Sequence, residues 1–372
     1  MKKIILSYID KRKVFDLFNI LLNTNYSTCD IIIISNQESL FLRLLNFMCY
    51  KNLVHISANT SNWSDVFNKL ESLYINEDLV LMPTEEELLL AYYNYIKNYA
   101  KSRILCEIPD ERIFNLVRDK VKLAQFCKSK IIPIPEVYGS LGNAKFPFIC
   151  KPKIGSGSKG IYIVQTDSDL QKLPNNLDNY LIQEYVDNSK GVIGAFAFVK
   201  DGLIISSYLH RRLVTYPNSG GVSVKSMTVT DEKLVQYYLE PLLLELRYSG
   251  LVMVEYLYDE ISGDFKLIEI NPRLWGSVLL SEICESKVIH NYINSCMNAY
   301  TVETKGRKEF YLWWIFPYGT MLFFKDFISG TLLGKKFVVI NWSYSSIFRS
   351  INFHLLVYLY YKKLRHLVIW KK

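Results

Sequence analysis

Short apolar runs alternate with amphipathic stretches over residues 1–110. The apolar runs are rich in Ile, Leu and Val, as buried strands are, whereas the stretches between them place apolar residues at helical spacing. The predicted strands are KKIILSYI, DIIIISN, LVHISA, LVLMPT and RILCEI. The predicted helices begin near Asp10, Gln37, Ser61 and Glu85. Near-continuous apolar strands separated by helices favour a parallel sheet, so the pattern predicts an α/β domain over residues 1–110.

A Rossmann-like sheet of this kind often binds a dinucleotide through a glycine-rich turn after its first strand. Here Ser7-Tyr8-Ile9-Asp10 stands at that turn. Because glycine lets the backbone approach a pyrophosphate closely, the sequence argues against NAD in this domain.

Hairpins replace the strand–helix alternation after residue 110. The turn Lys200-Asp201-Gly202 separates the strand-like runs IGAFAFV and GLIISSYL, as in a β-hairpin. Amphipathic spacing predicts helices over residues 109–130, 231–248 and 288–300. Antiparallel strands with separate helices predict an α+β domain over residues 111–304.

Residues 146–164, FPFICKPKIGSGSKGIYIV, predict two strands joined by a loop rich in Gly and Ser. The loop has little side-chain bulk and many exposed backbone N–H groups, so it can close over a phosphate chain. Its candidate residues are Lys151, Lys153, Gly155, Ser156, Gly157, Ser158 and Gly160. An ordinary hairpin loop beside lysines has the same composition, so the loop alone leaves both interpretations open.

Residues 251–273, LVMVEYLYDEISGDFKLIEINPR, predict a second hairpin that turns near Ser262. Strand alternation puts Glu269 and Asn271 on one face, and equal distance from the turn puts Glu255 opposite Glu269. Two facing carboxylates repel each other, and a divalent cation removes that conflict. Two Glu and an Asn carbonyl suit Mg²⁺, or Mn²⁺, held together with substrate phosphates. The alternative is a solvated hairpin with scattered charge.

The glycine loop followed by the EINPR hairpin resembles the ATP-grasp superfamily, and the resemblance covers roughly residues 118–300. Within it the chain is most similar to carboxylate–amine ligases of the carbamoyl-phosphate-synthase and biotin-carboxylase type. The resemblance implies an ATP-grasp core over residues 111–304 that binds ATP and Mg²⁺. It also implies that residues 1–110 are a Rossmann-like pre-ATP-grasp domain that helps to form the substrate cleft.

The resemblance implies roles for residues that carry no signal by themselves. Lys120 matches the lysine that reaches the nucleotide phosphates, although alone it would be an exposed helix lysine. The hinge that hydrogen-bonds the adenine edge is matched by Glu184, Tyr185 and Val186. The family often continues with Gly-x-Glu near the ribose. Here residues 191–194, GVIG, lack that Glu, and Asp187 is the substitute that we expect.

Three arginines are the predicted catalytic residues, since a guanidinium can stabilise a transferring phosphoryl group. Arg211 and Arg212 precede a polar, glycine-rich segment that is similar to one near the γ-phosphate in related ligases. Pairing with surface acids is the alternative for both. Arg273 lies just past the predicted metal ligands, where the resemblance implies that it stabilises the acyl-phosphate oxyanion.

Charge and cysteine content narrow the class of protein. The net charge is +8, but residues 305–372 hold twelve Lys or Arg against Glu309 and Asp326, a net of +10, so the rest carries −2. A basic excess confined to the tail argues against a nucleic-acid-binding body. The seven cysteines are scattered without C-x-x-C spacing, which predicts reduced thiols in a cytoplasmic protein. The apolar run after Met1 is too short for a signal peptide.

Residues 305–372 predict a mainly helical extension that mixes aromatic and basic residues. Four of the six tryptophans lie in residues 310–372, and the longest uncharged run there, 310–324, falls short of a bilayer span of about 20 residues. The mixture fits peripheral contact with the inner face of a membrane, with rings at head-group depth and Lys and Arg on anionic lipid. A helical cap on the core with a basic outer face is the alternative.

The resemblance implies an enzyme that joins a small-molecule carboxylate to an amine through an acyl phosphate, with release of ADP and phosphate. One hypothesis for the substrates is an amino acid and a sugar acid in surface-polysaccharide synthesis, and another is a soluble amino-acid or peptide ligase. A non-catalytic ATP-binding regulatory module and a glycosyltransferase with two Rossmann-like lobes are alternatives from other classes. The EINPR hairpin has no role in a glycosyltransferase. The residues do not indicate an oligomeric state.

Overall fold

The first sheet contains five parallel strands in the order β3-β2-β1-β4-β5. They are β1 (Lys2–Ser7), β2 (Asp30–Ser35), β3 (Leu53–Ser57), β4 (Asp78–Leu81) and β5 (Ile104–Leu105). Helix α1 (Lys11–Leu22) packs on the face of Ile4 and Ile31. Helices α2 (Trp63–Leu73) and α3 (Glu86–Asn98) pack on the opposite face. Burial on both faces explains the continuous apolar runs of these strands.

A computed structural model describes most of the chain. It covers residues 2–7, 11–22, 26, 29–35, 53–57, 62–99, 101–155, 157, 159–187, 189–216, 222–299, 301–306, 310–314, 329 and 337–340. The helix predicted to begin near Gln37 and the loop residues Ser156 and Ser158 lie outside the described residues.

A small antiparallel sheet follows, with four strands in the order β6-β9-β7-β8. They are β6 (Val137–Tyr138), β7 (Phe148–Pro152), β8 (Tyr162–Val164) and β9 (Tyr180–Glu184). One face buries Phe148, Cys150 and Val164 in a local core. Because side chains alternate along a strand, Ile149 and Lys151 lie on the other face.

The largest sheet has eight strands in the order β14-β13-β10-β11-β12-β16-β17, with β15 paired to β11. The strands that form its centre are β10 (Ile193–Lys200), β11 (Leu203–Tyr216), β12 (Val222–Val229), β13 (Gly250–Asp259) and β14 (Asp264–Asn271). Ala195 and Val254 belong to the core on one face, and Phe196 and Met253 belong to the core on the other. The central strands are therefore buried on both sides.

The remaining described α-helices flank this sheet. They are α4 (Glu111–Arg118), α5 (Lys120–Ser129), α6 (Glu232–Leu234), α7 (Glu240–Glu245), α8 (Leu279–Ile283) and α9 (Val288–Cys296). A π-helical segment, Val235–Leu239, joins α6 to α7. The helix predicted over 231–248 is thus confirmed over 232–245, with a π-helical segment inside it, where Pro241 has no N–H to donate to the carbonyl of Tyr237.

The prediction of a single helix over residues 109–130 is wrong, because the helical conformation is interrupted at Asp119. Asp119 has an extended backbone, and its side chain accepts hydrogen bonds from the amides of Val121 and Lys122. An aspartate with this geometry is an N-cap that starts a new helix. As a result Lys120 becomes the first residue of α5 instead of a residue in mid-helix.

The elements described within the C-terminal extension are strands, so the prediction of a mainly helical extension is wrong for these elements. They are β15 (Thr304–Lys305), β16 (Tyr311–Trp314) and β17 (Phe337–Ile340). Strand β16 pairs antiparallel with β12, and β17 pairs parallel with β16. The runs YLWW and FVVI are rich in the aromatic and β-branched residues that favour strands. Among the described residues no helix is both long and apolar enough to cross a membrane.

Candidate active site

Glu255 on β13 and Glu269 on β14 are direct partners across the hairpin, which confirms the predicted opposition. Their pairing depends on a local irregularity. Nearer the turn, Tyr256 pairs with Leu267, and the same register continued by one residue would pair Glu255 with Ile268. A β-bulge between Glu255 and Tyr256 skips Ile268 and brings Glu269 opposite Glu255.

The carbonyl of the skipped residue, Ile268, also contacts a lysine of the small sheet. Lys151 on β7 is buried, and its Nζ donates a hydrogen bond to the carbonyl of Ile268 at 3.4 Å. Burial lowers the pKa of Lys151 to about 8 against the opposing attraction of Glu269, and the nearby charge of Lys120 adds to the lowering. A lysine with this pKa is charged at neutral pH and sensitive to mild alkali.

Lys120 connects the carboxylate pair to the glycine loop. Its Nζ lies 3.4 Å from Glu269 Oε2 and donates to the carbonyl of Gly155 at 3.0 Å. Its backbone N–H donates to the carbonyl of Lys153 at 2.9 Å. The side chain is only 9% exposed, so the alternative of a solvent-exposed helix lysine is wrong.

The loop from Gly155 to Gly160 uses backbone conformations that favour glycine. Gly157 has φ 70° and Gly160 has φ 71°. A Cβ atom on Gly160 would lie 3.1 Å from Pro152 Cγ, whereas one on Gly157 would meet open space. Lys153 is anchored by its backbone, whose N–H donates to Asn179 O at 2.8 Å. A phosphate contact from the Lys153 side chain stays a prediction.

The two carboxylates of the pair have different partners and opposite pKa shifts. Glu255 forms an ion pair with Arg212 on β11. Burial raises the pKa of Glu255, Arg212 opposes that shift, and Glu269 adds to it. Burial would raise the pKa of Glu269 too, but the Lys120 charge and the amide of Asn271 outweigh it, so this pKa lies below its ordinary value.

Asn271 and Arg273 continue the polar network from Glu269. Asn271 Nδ2 donates to Glu269 Oε1 at 3.0 Å, and Asn271 Oδ1 accepts from Arg273 Nη2 at 3.1 Å. Arg273 Nη1 donates to the carbonyl of Leu274 at 3.1 Å. Arg273 Nε lies 3.5 Å from Glu86 Oε1, at the start of α3 in the N-terminal region.

Arg211 is not part of this network. Neighbouring residues of a strand point to opposite faces, and the face of Glu255 is taken by Arg212. Arg211 instead lines a cavity of about 330 Å³ together with Asp231, Tyr258 and Phe265, on the face covered by α6 and α7. Contact of Arg211 with the transferring group therefore stays a prediction, and the position of Arg211 on the opposite face does not support it.

The predicted adenine hinge begins at the end of β9, and several of its polar groups form hydrogen bonds within the protein. The carboxylate of Glu184 accepts from Lys266 Nζ at 2.8 Å and from the amide of Glu136 at 3.0 Å. The Tyr185 N–H donates to Pro147 O at 3.3 Å. Val186 is buried, and Asp187 is exposed with its Oδ1 accepting from the amide of Ser189 at 3.1 Å. An adenine contact at this hinge, and a ribose contact from Asp187, stay predictions.

The sequence reasoning missed two apolar residues beside Lys151. Ile149 and Ile163 are partners in register between β7 and β8, so they share the face of Lys151. Ile163 is 44% exposed although its chemistry favours burial. Alternation within FICKP and IYIV was the signal that could have identified them. They offer a flat apolar surface for a planar ring.

The oxygen donors fit Mg²⁺ that is shared with phosphate groups. In the described part of the chain no three His, Cys, Asp or Glu side chains gather to hold an ion by themselves. Mg²⁺ usually binds through one or two carboxylates and completes its shell with substrate phosphates and water. Glu255 and Glu269, with the carbonyl oxygen of Asn271, supply that partial set beside the glycine loop.

Residues 117–277 match the profile of the ATP-grasp domain family. The matched segment contains the glycine loop, both lysines, Arg212 and the whole carboxylate hairpin. Together with the fold, this match identifies an ATP-grasp domain within the chain, as the EINPR hairpin and glycine loop predicted. A glycosyltransferase is not supported.

Known proteins are similar to the chain in sequence or in structure. The 3-methyl-D-ornithine–L-lysine ligase of Methanosarcina barkeri is 32% identical over 142 residues, which cover 37% of this chain and 36% of that protein. Biotin carboxylase from Campylobacter jejuni, solved with β,γ-ATP, aligns with a TM-score of 0.61 at 16% identity, over 81% of this chain and 71% of the other.

The biotin carboxylase domain of the Hydrogenobacter thermophilus 2-oxoglutarate carboxylase, solved with MgADP, ADP and bicarbonate, aligns with a TM-score of 0.60 at 15% identity. That alignment covers 83% of this chain and 73% of the other. At these identities the structural similarity establishes the fold alone. The curated ligase is matched over about a third of its length.

Proposed function

We propose that this protein is an ATP-dependent carboxylate–amine ligase that forms an amide through an acyl phosphate. The observation that carries the proposal is the buried pair Glu255–Glu269 joined through Lys120 to the glycine loop. An ATP-grasp domain, a ligase among the similar proteins and ATP or MgADP in the similar structures support it. The intact set of Glu255, Glu269 and Asn271 argues against a regulatory module that has lost catalysis.

In the proposed complex, ATP lies between the small sheet and the large sheet. Lys120, Lys151 and the backbone of the glycine loop hold the phosphates, because they provide the positive charge and N–H groups nearest the carboxylates. Ile149 and Ile163 lie on the same face as Lys151 and pack against the adenine ring. When bound, Mg²⁺ on Glu255, Glu269 and Asn271 supplies charge neutralisation for the phosphate oxygens.

The reaction has two displacements. An oxygen of the substrate carboxylate attacks the γ-phosphorus, the bond from that phosphorus to the β–γ bridging oxygen breaks, and ADP leaves. The amine then attacks the acyl carbon of the acyl phosphate and expels phosphate, and the proton lost by the amine passes to the departing phosphate or to water. Arg212 and Arg273 border the carboxylate pair, where a guanidinium stabilises negative charge on the transferring group. Positioning and charge neutralisation carry the catalysis.

Amino acids are the substrates that we favour on both sides of the new amide. The similar Methanosarcina protein is named for joining one amino acid to another, which favours the amino-acid or peptide ligase among the two substrate hypotheses. A sugar-acid acceptor in polysaccharide synthesis, and a membrane contact by residues 310–372, stay predictions. We propose that residues 1–110 form one wall of the substrate cleft, since Pro83 O accepts from Leu274 N at 2.8 Å beside Arg273.

A substrate screen tests the proposal. ADP release from ATP with Mg²⁺ is measured across pooled amino acids and pooled uronic acids as carboxylates, each with pooled amines. ADP and phosphate in equal amounts, formed only with a particular carboxylate–amine pair, are the expected result. Formation of AMP and pyrophosphate would contradict the acyl-phosphate route, and tight ATP binding without turnover in any pool would favour the regulatory module.

A further inference from the structure

One carboxylate of the N-terminal region holds two arginines that lead into the candidate active site. Glu86, in the first turn of α3, has Oε1 3.5 Å from Arg273 Nε and Oε2 3.2 Å from Arg118 Nε. The three side chains are 12–15% exposed, so this contact is largely shielded from solvent. Such shielding makes a charge pair stronger than one at the surface.

The two arginines belong to the segments that carry the predicted phosphate and metal residues. Arg118 ends α4 two residues before Lys120, and its guanidinium also lies over the Phe114 ring at 5.4 Å. Arg273 follows Asn271 by two residues and hydrogen-bonds its side chain. Glu86 therefore fastens both segments to the first turn of one helix.

The position of Arg273 matters because Glu255 and Glu269 lie nearby. Their carboxylates are stronger hydrogen-bond acceptors than the amide and the backbone carbonyl that Arg273 contacts. Its charge acts on Glu255, and it reaches Glu269 through a single residue, Asn271. Carboxylates attract a guanidinium more strongly than an amide or backbone carbonyl does. Without Glu86, Arg273 would move to the carboxylate pair and compete with a divalent cation for the same oxygens.

We propose that Glu86 is a positioning residue: it keeps Arg273 from joining Arg212 and Lys120 at Glu255 and Glu269, so that a divalent cation bound with the nucleotide meets less competition for their oxygens. Glu86 contacts neither the cation nor the nucleotide in this arrangement, and it acts through Arg273. The inference rests on the proposed function. It adds a contribution from residues 1–110 to the metal site of the ATP-grasp domain.

The test measures the Mg²⁺ concentration that gives half-maximal ADP binding, by calorimetric titration of the full chain at stepwise Mg²⁺. Glu86→Gln keeps the side-chain shape and removes the charge. It should raise that Mg²⁺ concentration about 10-fold, which is the smallest change in metal affinity that is typical when a residue supporting the metal ligands is replaced. The matched control is Glu87→Gln, an exposed glutamate one residue along the same helix, which should leave it unchanged. Glu86→Asp keeps the charge with a shorter reach and should shift it in the same direction.

Arg273→Gln separates positioning from a general structural role. In that background Glu86→Gln should change the Mg²⁺ requirement by less than about 2-fold, because no guanidinium remains to be misplaced. An equal effect in both backgrounds, or Glu86→Gln and Glu86→Asp variants that bind like the unaltered protein, would overturn the inference. Failure of the unaltered protein to bind MgADP would instead overturn the proposed function.

Discussion

Glu255 and Glu269 face each other across β13 and β14, and each has its own cation, Arg212 for Glu255 and Lys120 for Glu269. Two carboxylates at this separation would repel each other if they stood alone. Instead, each of the two negative charges lies next to a positive charge, and all four groups are at least partly buried. Replacing one carboxylate therefore leaves a cation unpaired as well as removing a proposed metal ligand.

Glu269→Ala should abolish ATP turnover, with a loss of at least about 100-fold in kcat, because metal neutralisation of phosphate charge supplies several kcal/mol. The measurement is ADP release with the substrate pair found in the screen, and circular dichroism checks that the fold is retained. Glu260→Ala, at the exposed tip of the same hairpin, is the control. Activity retained in a folded Glu269→Ala protein would contradict the proposed role of Glu269 as a metal ligand.

ATP affinity should fall as pH rises through about 8, the pKa of Lys151. Below that pH Lys151 is charged and attracts phosphate, and above it the attraction is lost. The measurement is the Kd for ATP between pH 7 and pH 9.5. Lys151→Arg should remove this dependence because a guanidinium stays protonated throughout the range. A pH profile that is the same in both proteins would assign the titration to another group.

The same group has the opposite effect on the unliganded protein. The pKa of Lys151 is lowered from 10.5 in the folded state, so between about 8 and 10.5 the unfolded chain binds more protons than the folded one. The contribution of Lys151 to the free energy of unfolding therefore rises with pH over that window. Urea unfolding at pH 8 and pH 10 should show a smaller rise in Lys151→Met than in the unaltered protein.

Gly157→Ala and Gly160→Ala should differ although both residues have φ near 70°. The left-handed backbone alone costs an alanine about 1–2 kcal/mol, which both variants lose in urea unfolding. Gly160→Ala also brings a Cβ to 3.1 Å from Pro152 Cγ, so it should weaken ATP binding more. Equal ATP affinities in the two variants would mean that the loop adjusts freely around Pro152.

Substitution of Arg212 should lower kcat strongly, whereas substitution of the neighbouring Arg211 should change it little. Arg212→Gln leaves Glu255 buried without its ion pair, raises the pKa of that carboxyl further and should cut kcat by about 100-fold or more. Arg211→Gln changes a side chain on the opposite face and should keep kcat within about 2-fold. Equal losses in two folded variants would contradict the placement of Arg211 outside the site.

The sequence by itself determined the features that depend on local spacing. The period of two along a strand placed Glu269 and Asn271 on one face, and a turn near Ser262 brought Glu255 to the other strand of the same hairpin. The glycines of the loop were readable because few other residues adopt φ near 70°. Continuous apolar runs between amphipathic stretches predicted the strands of the first sheet for a similarly local reason.

Only the tertiary structure decided which groups meet across the chain. The β-bulge that skips Ile268 has no marker in the sequence, because it depends on how the backbones of β13 and β14 pair. Residues distant in the chain, Glu86 and Arg273, meet through packing of the N-terminal region against the core. Alternation alone could not say which of Arg211 and Arg212 faces Glu255, since that depends on how β11 lies against its neighbours. Spacing acts within an element, whereas the chemistry of this site is assembled between elements.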